Sequence, residues 1–166
     1  MNKLPVALKR SFPPVVDDAT RVLILGSLPG EMSLAKQQYY GKPQNQFWRL
    51  IGDVIGCPLV PLAYQERLAA LAERRIGLWD VFEAAQREGS LDSAIRDHRP
   101  NDLRALFARL PDLRLVAFNG VTAARHGQRQ IDGDFPATLT LPSSSPALTW
   151  PYPRKLASWQ AITPFL

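Results

Sequence analysis

Thiol and imidazole are nearly missing from this chain. Cys57 is the one cysteine in 166 residues, and the two histidines, His98 and His126, stand far apart in sequence. Neither a disulfide framework nor an iron–sulfur or zinc cluster can be built from such spacing, so no metal or other cofactor is expected. Long apolar runs are also missing: nothing approaches the roughly 18 residues of a membrane span, and the N-terminus lacks the apolar centre of a signal peptide. The expectation is a cytoplasmic protein with no membrane partner. Negative charge is in deficit, with 15 Asp and Glu against 20 Lys and Arg, a net charge of +5. Fifteen of those twenty cations are arginine, whose forked guanidinium suits phosphate oxygens. An anionic partner and a merely basic, solvated surface are both consistent with that balance.

What is there reads as one domain over 1–166, expected to be a monomer, with 1–20 as an arm. The arm, MNKLPVALKRSFPPVVDDAT, is rich in proline and shows neither helical nor alternating periodicity. Arg21 to Gly26 is an apolar run closed by glycine, the mark of a strand buried on both faces. A long loop follows, from Gly26 to Trp48. Phe47, Leu50, Ile51, Val54 and Ile55 then fall at helical spacing up to Gly56, and Tyr64 to Arg75 forms a second amphipathic helix. Ile76 to Phe82 predicts a second strand. Asn101 is the expected cap of a helix carrying Leu103, Leu106, Phe107 and Leu110. Leu113 to Gly120 predicts a third strand, Val121 to Gln130 a helix, Ala137 to Leu141 a fourth strand, and Arg154 to Ile162 a terminal helix. Strands alternating with helices imply a three-layer α/β/α fold around a parallel sheet of about four strands.

In such sheets ligands bind at the carboxyl ends of the strands. That rule selects the Gly26 loop, Asp80, Asn119 and the loop LPSSSPALTWPYP after the fourth strand. GSLPG is neither a dinucleotide fingerprint nor a phosphate-cradling Walker loop, and it is not a nucleophile elbow. It is a tight turn whose backbone N–H groups and Ser27 hydroxyl can meet an oxyanion or a base edge. Facing a serine-rich loop, it makes two walls of small residues that a flat ring or a phosphate can approach closely.

Those two motifs resemble motifs one and two of the uracil-DNA glycosylase superfamily. The further fragments SFPP at Ser11, RVLILGSLPG, SL at Ser33, YY at Tyr39, NQFW at Asn45, LWDV at Leu78, FNG at Phe118 and LPSSSPA resemble its sixth family, the hypoxanthine (deoxyinosine) DNA glycosylases. The likeness runs over nearly the whole chain. One departure is informative: where many superfamily members carry a water-activating Asp or Asn, this chain has Leu28. The resemblance therefore implies that the amide comes from the far end of the loop, at Asn45, whose local alternative is to cap the helix beginning near Gln46.

The resemblance also implies the remaining roles. Gly26, Ser27 and Leu28 would frame a flipped base, Phe47 would stack on it or else pack in the core, and Asn119 would read its edge or else serve as a turn residue. Tyr40 and Asp80 are possible pocket residues, Asp80 having helix capping as its alternative. Ser143, Ser144 and Ser145 would donate to DNA phosphates, or bond only to their own turn, with Pro146 fixing it. Leu148 or Trp150 would wedge into the vacated stack, and Arg154 and Lys155 would add charge where no acidic residue follows Ala137. The activity so implied is a monofunctional DNA glycosylase that hydrolyses the N-glycosidic bond of a deaminated base, hypoxanthine first, leaving an abasic site for base excision repair. Its partner would be double-stranded DNA with a damaged base, or single-stranded DNA. Uracil, or a G:U/T mismatch, is the nearest alternative substrate; a noncatalytic nucleic-acid binder on the same fold is the rival class. A serine nucleophile is the weakest alternative, since neither histidine lies in a rim loop.

Overall fold

A computed structural model describes residues 7–166; the first six residues of the expected arm lie outside the described residues. In chain order the elements are β1 (Leu8–Arg10), β2 (Val22–Gly26), α1 (Glu31–Lys36), α2 (Phe47–Ile55), α3 (Tyr64–Glu73), β3 (Ile76–Asp80), β4 (Phe82–Gln86), β5 (Arg96–Pro100), α4 (Leu103–Ala108), β6 (Leu115–Asn119), α5 (Val121–Gly127), β7 (Ala137–Leu141) and α6 (Tyr152–Trp159). Short 3₁₀ turns extend α5 and α6.

Strands β3, β2, β6 and β7 form, in that order, a parallel sheet. Successive side chains on a strand point to opposite faces, and the apolar run of β2 divides accordingly. Val22 and Ile24 join Phe47, Leu50, Ile51, Leu71 and Trp159 from α2, α3 and α6. Leu23 and Leu25 join Leu103, Leu106, Ala123 and Ala124 from α4 and α5. Strand β6 divides the same way, with Leu115 and Ala117 on one side and Val116 and Phe118 on the other. That two-sided burial is why the strands read as continuous apolar runs, and it produces the three layers. At Gly127 a Cβ would lie 2.2 Å from the Phe118 ring, so glycine sets how closely α5 packs on the sheet.

Five features depart from the expected elements, and the pairing of β1 with β4 is between strands distant in sequence. The arm is not structureless. Strand β1 pairs with β4, and Val15 forms an antiparallel bridge to Leu78, shielding the β3 edge. Gly77 makes room for this, since a Cβ there would sit 2.8 Å from the Val16 side chain. The strand expected to run to Phe82 ends at Asp80, and Phe82 begins β4, which lies between β1 and β5 in a second, antiparallel sheet. Strand β5 reads RDHRP and is exposed at all five positions, so no hydrophobic pattern announces it. The long loop contains α1. Finally, Asp102 caps α4 through Oδ1, which accepts from Ala105 N at 3.0 Å. Asn101 instead is buried, its Nδ2 donating to the Asp80 carbonyl at 2.8 Å and to Ser11 Oγ at 3.2 Å.

Candidate active site

The last residues of all four parallel strands, Gly26, Asp80, Asn119 and Leu141, line one cavity of about 1020 Å³. The loops beyond them complete its walls: Ser27 to Ser33 after β2, Gly120 to Thr122 after β6, and Pro142 to Leu148 with Trp150 after β7. Tyr40, Lys42 and Asn45 close it from the far end of the first loop. The Ser90 to Ser93 turn between β4 and β5 supplies a wall that the strand-end rule does not select.

The first loop is fastened from behind by Arg87. This guanidinium is 1% exposed and donates to the carbonyls of Leu28, Pro29 and Gly89, with Asp92 at 3.9 Å. Asp92 in turn accepts from Ser27 Oγ at 2.6 Å. The Ser27 hydroxyl is thus committed to Asp92, and Leu28 packs into the core beneath the sheet's second face. Sequence reasoning missed both Arg87 and Asp92: nothing in QREGSLDS marks side chains whose partners are some sixty residues earlier.

Aromatic packing selects the core alternative for Phe47. Phe47 is wholly buried, and Tyr40 stacks on it with ring centroids 3.9 Å apart and planes 17° apart. Trp48 and Trp159 meet Phe47 edge-on. Tyr40, not Phe47, therefore turns an aromatic face to the cavity. Tyr40 sits at φ 53°, the left-handed region that costs a bulky residue strain and concentrates at functional sites. Its hydroxyl accepts from Asn119 Nδ2 at 3.2 Å.

Asn119 is the tie between the strand ends. Its Nδ2 also donates to Ser144 Oγ at 2.8 Å, and its Oδ1 accepts from Ser144 N at 2.9 Å. Ser144, 1% exposed, offers its carbonyl to Gln46 N at 2.9 Å. The second loop is thereby joined both to β6 and to the entry of α2. Asn45 stands one residue before the α2 cap, Gln46. Its Oδ1 accepts from Phe47 N at 2.9 Å, which satisfies the helix start and fixes the amide plane. An amide oxygen has a second lone pair, and Asn45 lines the cavity.

In the serine loop, Ser143 Oγ accepts from Ser145 N and Ser145 Oγ from Ala147 N, the self-bonded turn that serine favours. Ser143, Ser145, Pro146, Leu148 and Trp150 all line the cavity. Arg154 lies over the Trp150 ring at 3.6 Å. Lys155 departs from its expected place at the phosphates: it is 1% exposed and donates Nζ to the Ser145 carbonyl at 3.1 Å. Burial pushes its ammonium below the usual lysine range, and it braces the loop from below.

Asp80 is the electrostatic oddity. It is 4% exposed, and Oδ2 finds no hydrogen-bond partner among the described residues. Burial, reinforced by the nearby Asp92 carboxylate and opposed by Arg87, pushes its carboxyl up to about 7. It caps no helix.

The family profile described as "Uracil DNA glycosylase superfamily" matches residues 13–165. A Methanosarcina acetivorans protein named hypoxanthine DNA glycosylase is 47% identical over 155 residues, 93% of this chain and 98% of that protein. A Methanosarcina barkeri protein of the same name is 54% identical over 112 residues, 68% of this chain and 71% of that one. The fold is also similar to the solution NMR structure of a Methanosarcina acetivorans protein described as a candidate uracil DNA glycosylase, with a TM-score of 0.85, 46% identity, and coverage of 95% and 97% of the two chains.

Proposed function

This chain belongs to the uracil DNA glycosylase superfamily, and from that premise we propose that it is a monofunctional DNA glycosylase. It removes a deaminated base, hypoxanthine, from DNA and leaves an abasic site for base excision repair. The observation that carries this reading is the cavity at the strand ends, walled by Tyr40, which stacks on the buried Phe47, and bounded by Asn45, in a chain that is 47% identical to a protein named hypoxanthine DNA glycosylase.

The chemistry asks little of a nucleophile and much of the surroundings. Cleavage of the glycosidic bond leaves an oxocarbenium-like sugar while negative charge grows on the departing base, so a positioned water suffices at the sugar. Asn45 holds that water through the free lone pair of an amide already oriented by Phe47 N. Donors aimed at the leaving base do more, each good one contributing roughly 3 kcal/mol; the backbone of the Gly26 to Gly30 turn is their source. A base must leave the duplex to reach these groups, and the Tyr40 face receives it. Asn119 acts through Tyr40 and Ser144, fixing the ring and the serine loop that pinches the flanking phosphates.

The DNA taken is a duplex carrying a damaged base, and the protein works as a monomer in the cytoplasm. No helix among the described residues is long and apolar enough to cross a membrane.

The test is incubation with duplexes bearing a single deoxyinosine or deoxyuridine, followed by alkali to reveal abasic sites. Hypoxanthine release is expected to exceed uracil release. Asn45→Ala is expected to lower the single-turnover rate by 10²-fold or more, on the order of a lost catalytic donor, with DNA affinity within about threefold. Binding without release of either base would replace the enzyme by a noncatalytic binder.

A further inference from the structure

We infer that Asp80 is the general acid of this site, its carboxyl handing a proton to a ring nitrogen of the purine as the glycosidic bond breaks. The inference rests on hypoxanthine being the substrate and goes beyond it by naming the group that activates the leaving base.

Gly26 and Asp80 are paired at the ends of β2 and β3, and the Asp80 side chain folds over Gly26. A Cβ on Gly26 would stand 2.6 Å from Asp80 Oδ1 and 3.1 Å from the Tyr40 hydroxyl. Any larger residue would evict either the acid or the ring. Asp80 therefore occupies the cavity floor beside the aromatic face that receives the base. Its main chain is held by Asn101 Nδ2 on the carbonyl, while Oδ2 has no hydrogen-bond partner among the described residues.

A buried carboxylate with an unpartnered oxygen is costly to keep charged, and such a group takes up a proton instead. The charged and titratable groups around it agree. Asp92 repels a negative charge there, and the Tyr39 and Tyr40 hydroxyls stay protonated beside it. Arg87 opposes this, but its guanidinium is engaged by three carbonyls and Asp92. A neutral carboxylic acid is a donor, and a value near 7 is where a general acid is most useful.

The bookkeeping of the step closes. The C1′–N9 bond breaks and its electron pair goes to the purine. The Asp80 proton moves to a ring nitrogen, so hypoxanthine leaves neutral. The water held by Asn45 adds to C1′ and gives up a proton, which returns Asp80 to its acid form. One water is consumed. Uracil offers no basic ring nitrogen once N1 is glycosylated and N3 carries hydrogen, so this acid favours a purine leaving group.

The measurement is the single-turnover rate on deoxyinosine duplexes between pH 5 and pH 8.5, for the natural chain and for Asp80→Asn. The protonated acid is the active form, so the natural chain's rate is expected to be level below about pH 7 and to fall tenfold per unit above it. Asp80→Asn is expected to be flat with pH and about 10²-fold slower at pH 6, the usual range for a lost general acid. Duplexes with 7-deaza- or 3-deaza-deoxyinosine then locate the proton. With the nitrogen that receives it removed, the natural chain and the variant should react at equal rates. A natural-chain rate that stays level or rises through pH 7, or a variant deficit unchanged on both analogues, overturns the inference. The natural-chain profile stands even if the variant does not fold. No hypoxanthine release at any pH would instead be the failure of the substrate reading.

Discussion

Tyr40 and Phe47 show how much at a single residue depends on which ring lies uppermost. They are stacked at 3.9 Å, so either could have met the cavity, and the resemblance names Phe47 with core packing as its alternative. Burial assigns the roles: Phe47 is a wholly enclosed core residue, whereas Tyr40 is partly exposed on the cavity wall. Tyr40→Ala is accordingly expected to remove a stacking surface worth about 1–3 kcal/mol, lowering kcat/KM by roughly 10- to 100-fold with little change in Tm. Phe47→Ala should destabilise the fold by about 3–5 kcal/mol, read as a large drop in Tm. A Tyr40→Ala enzyme with unimpaired kcat/KM would return the stacking role to Phe47. At Asn45 the bond that Oδ1 accepts from Phe47 N leaves a second lone pair, so holding the helix start is compatible with the proposed hold on water.

At the scale of elements, the second loop is rigid for reasons its composition does not reveal. LPSSSPA suggests a flexible turn, yet Ser144 is bonded to Asn119 and Gln46, and Ser145 is held by Lys155. Lys155 on α6 is the least expected of these supports, because a lysine beside Arg154 reads as surface charge. Lys155→Met keeps most of the buried stem and leaves the Ser145 carbonyl without its donor. The expected cost is about 1–3 kcal/mol of stability, a fall in Tm of roughly 3–10 °C, together with slower base release. The salt dependence of DNA binding should be unchanged. A shallower slope in the Met variant would mean that Lys155 does reach a phosphate. The small antiparallel sheet has a comparable supporting role. It carries Arg87 beyond β4 and the Ser90 to Ser93 turn before β5, and so delivers the wall and the clamp of the Gly26 turn.

For the whole molecule the net charge of +5 matters chiefly through its distribution around the cavity mouth. Lys42 lines the cavity, Arg154 lies over Trp150 at its rim, and no acidic residue follows Ala137. Phosphate contacts release counterions, so affinity for DNA should fall linearly in log–log terms with salt. Arg154→Ala is expected to reduce that slope by about 0.9 and to weaken inosine-bearing and undamaged duplexes alike. A slope identical to that of the natural chain would remove Arg154 from the interface. The sequence by itself determined the parallel sheet, its helices and the rim where the site assembles, because strands buried on both faces must be apolar throughout and glycine and proline end them visibly. Through the resemblance of its motifs it also pointed to the family. Tertiary structure alone decided that Tyr40 covers Phe47, that Arg87 and Lys155 are buried braces, that RDHRP is a strand, and that Asp80 lies unpaired on the cavity floor. Each of those depends on partners brought together from distant parts of the chain, and burial or pairing of that kind leaves no periodic trace in the residues nearby.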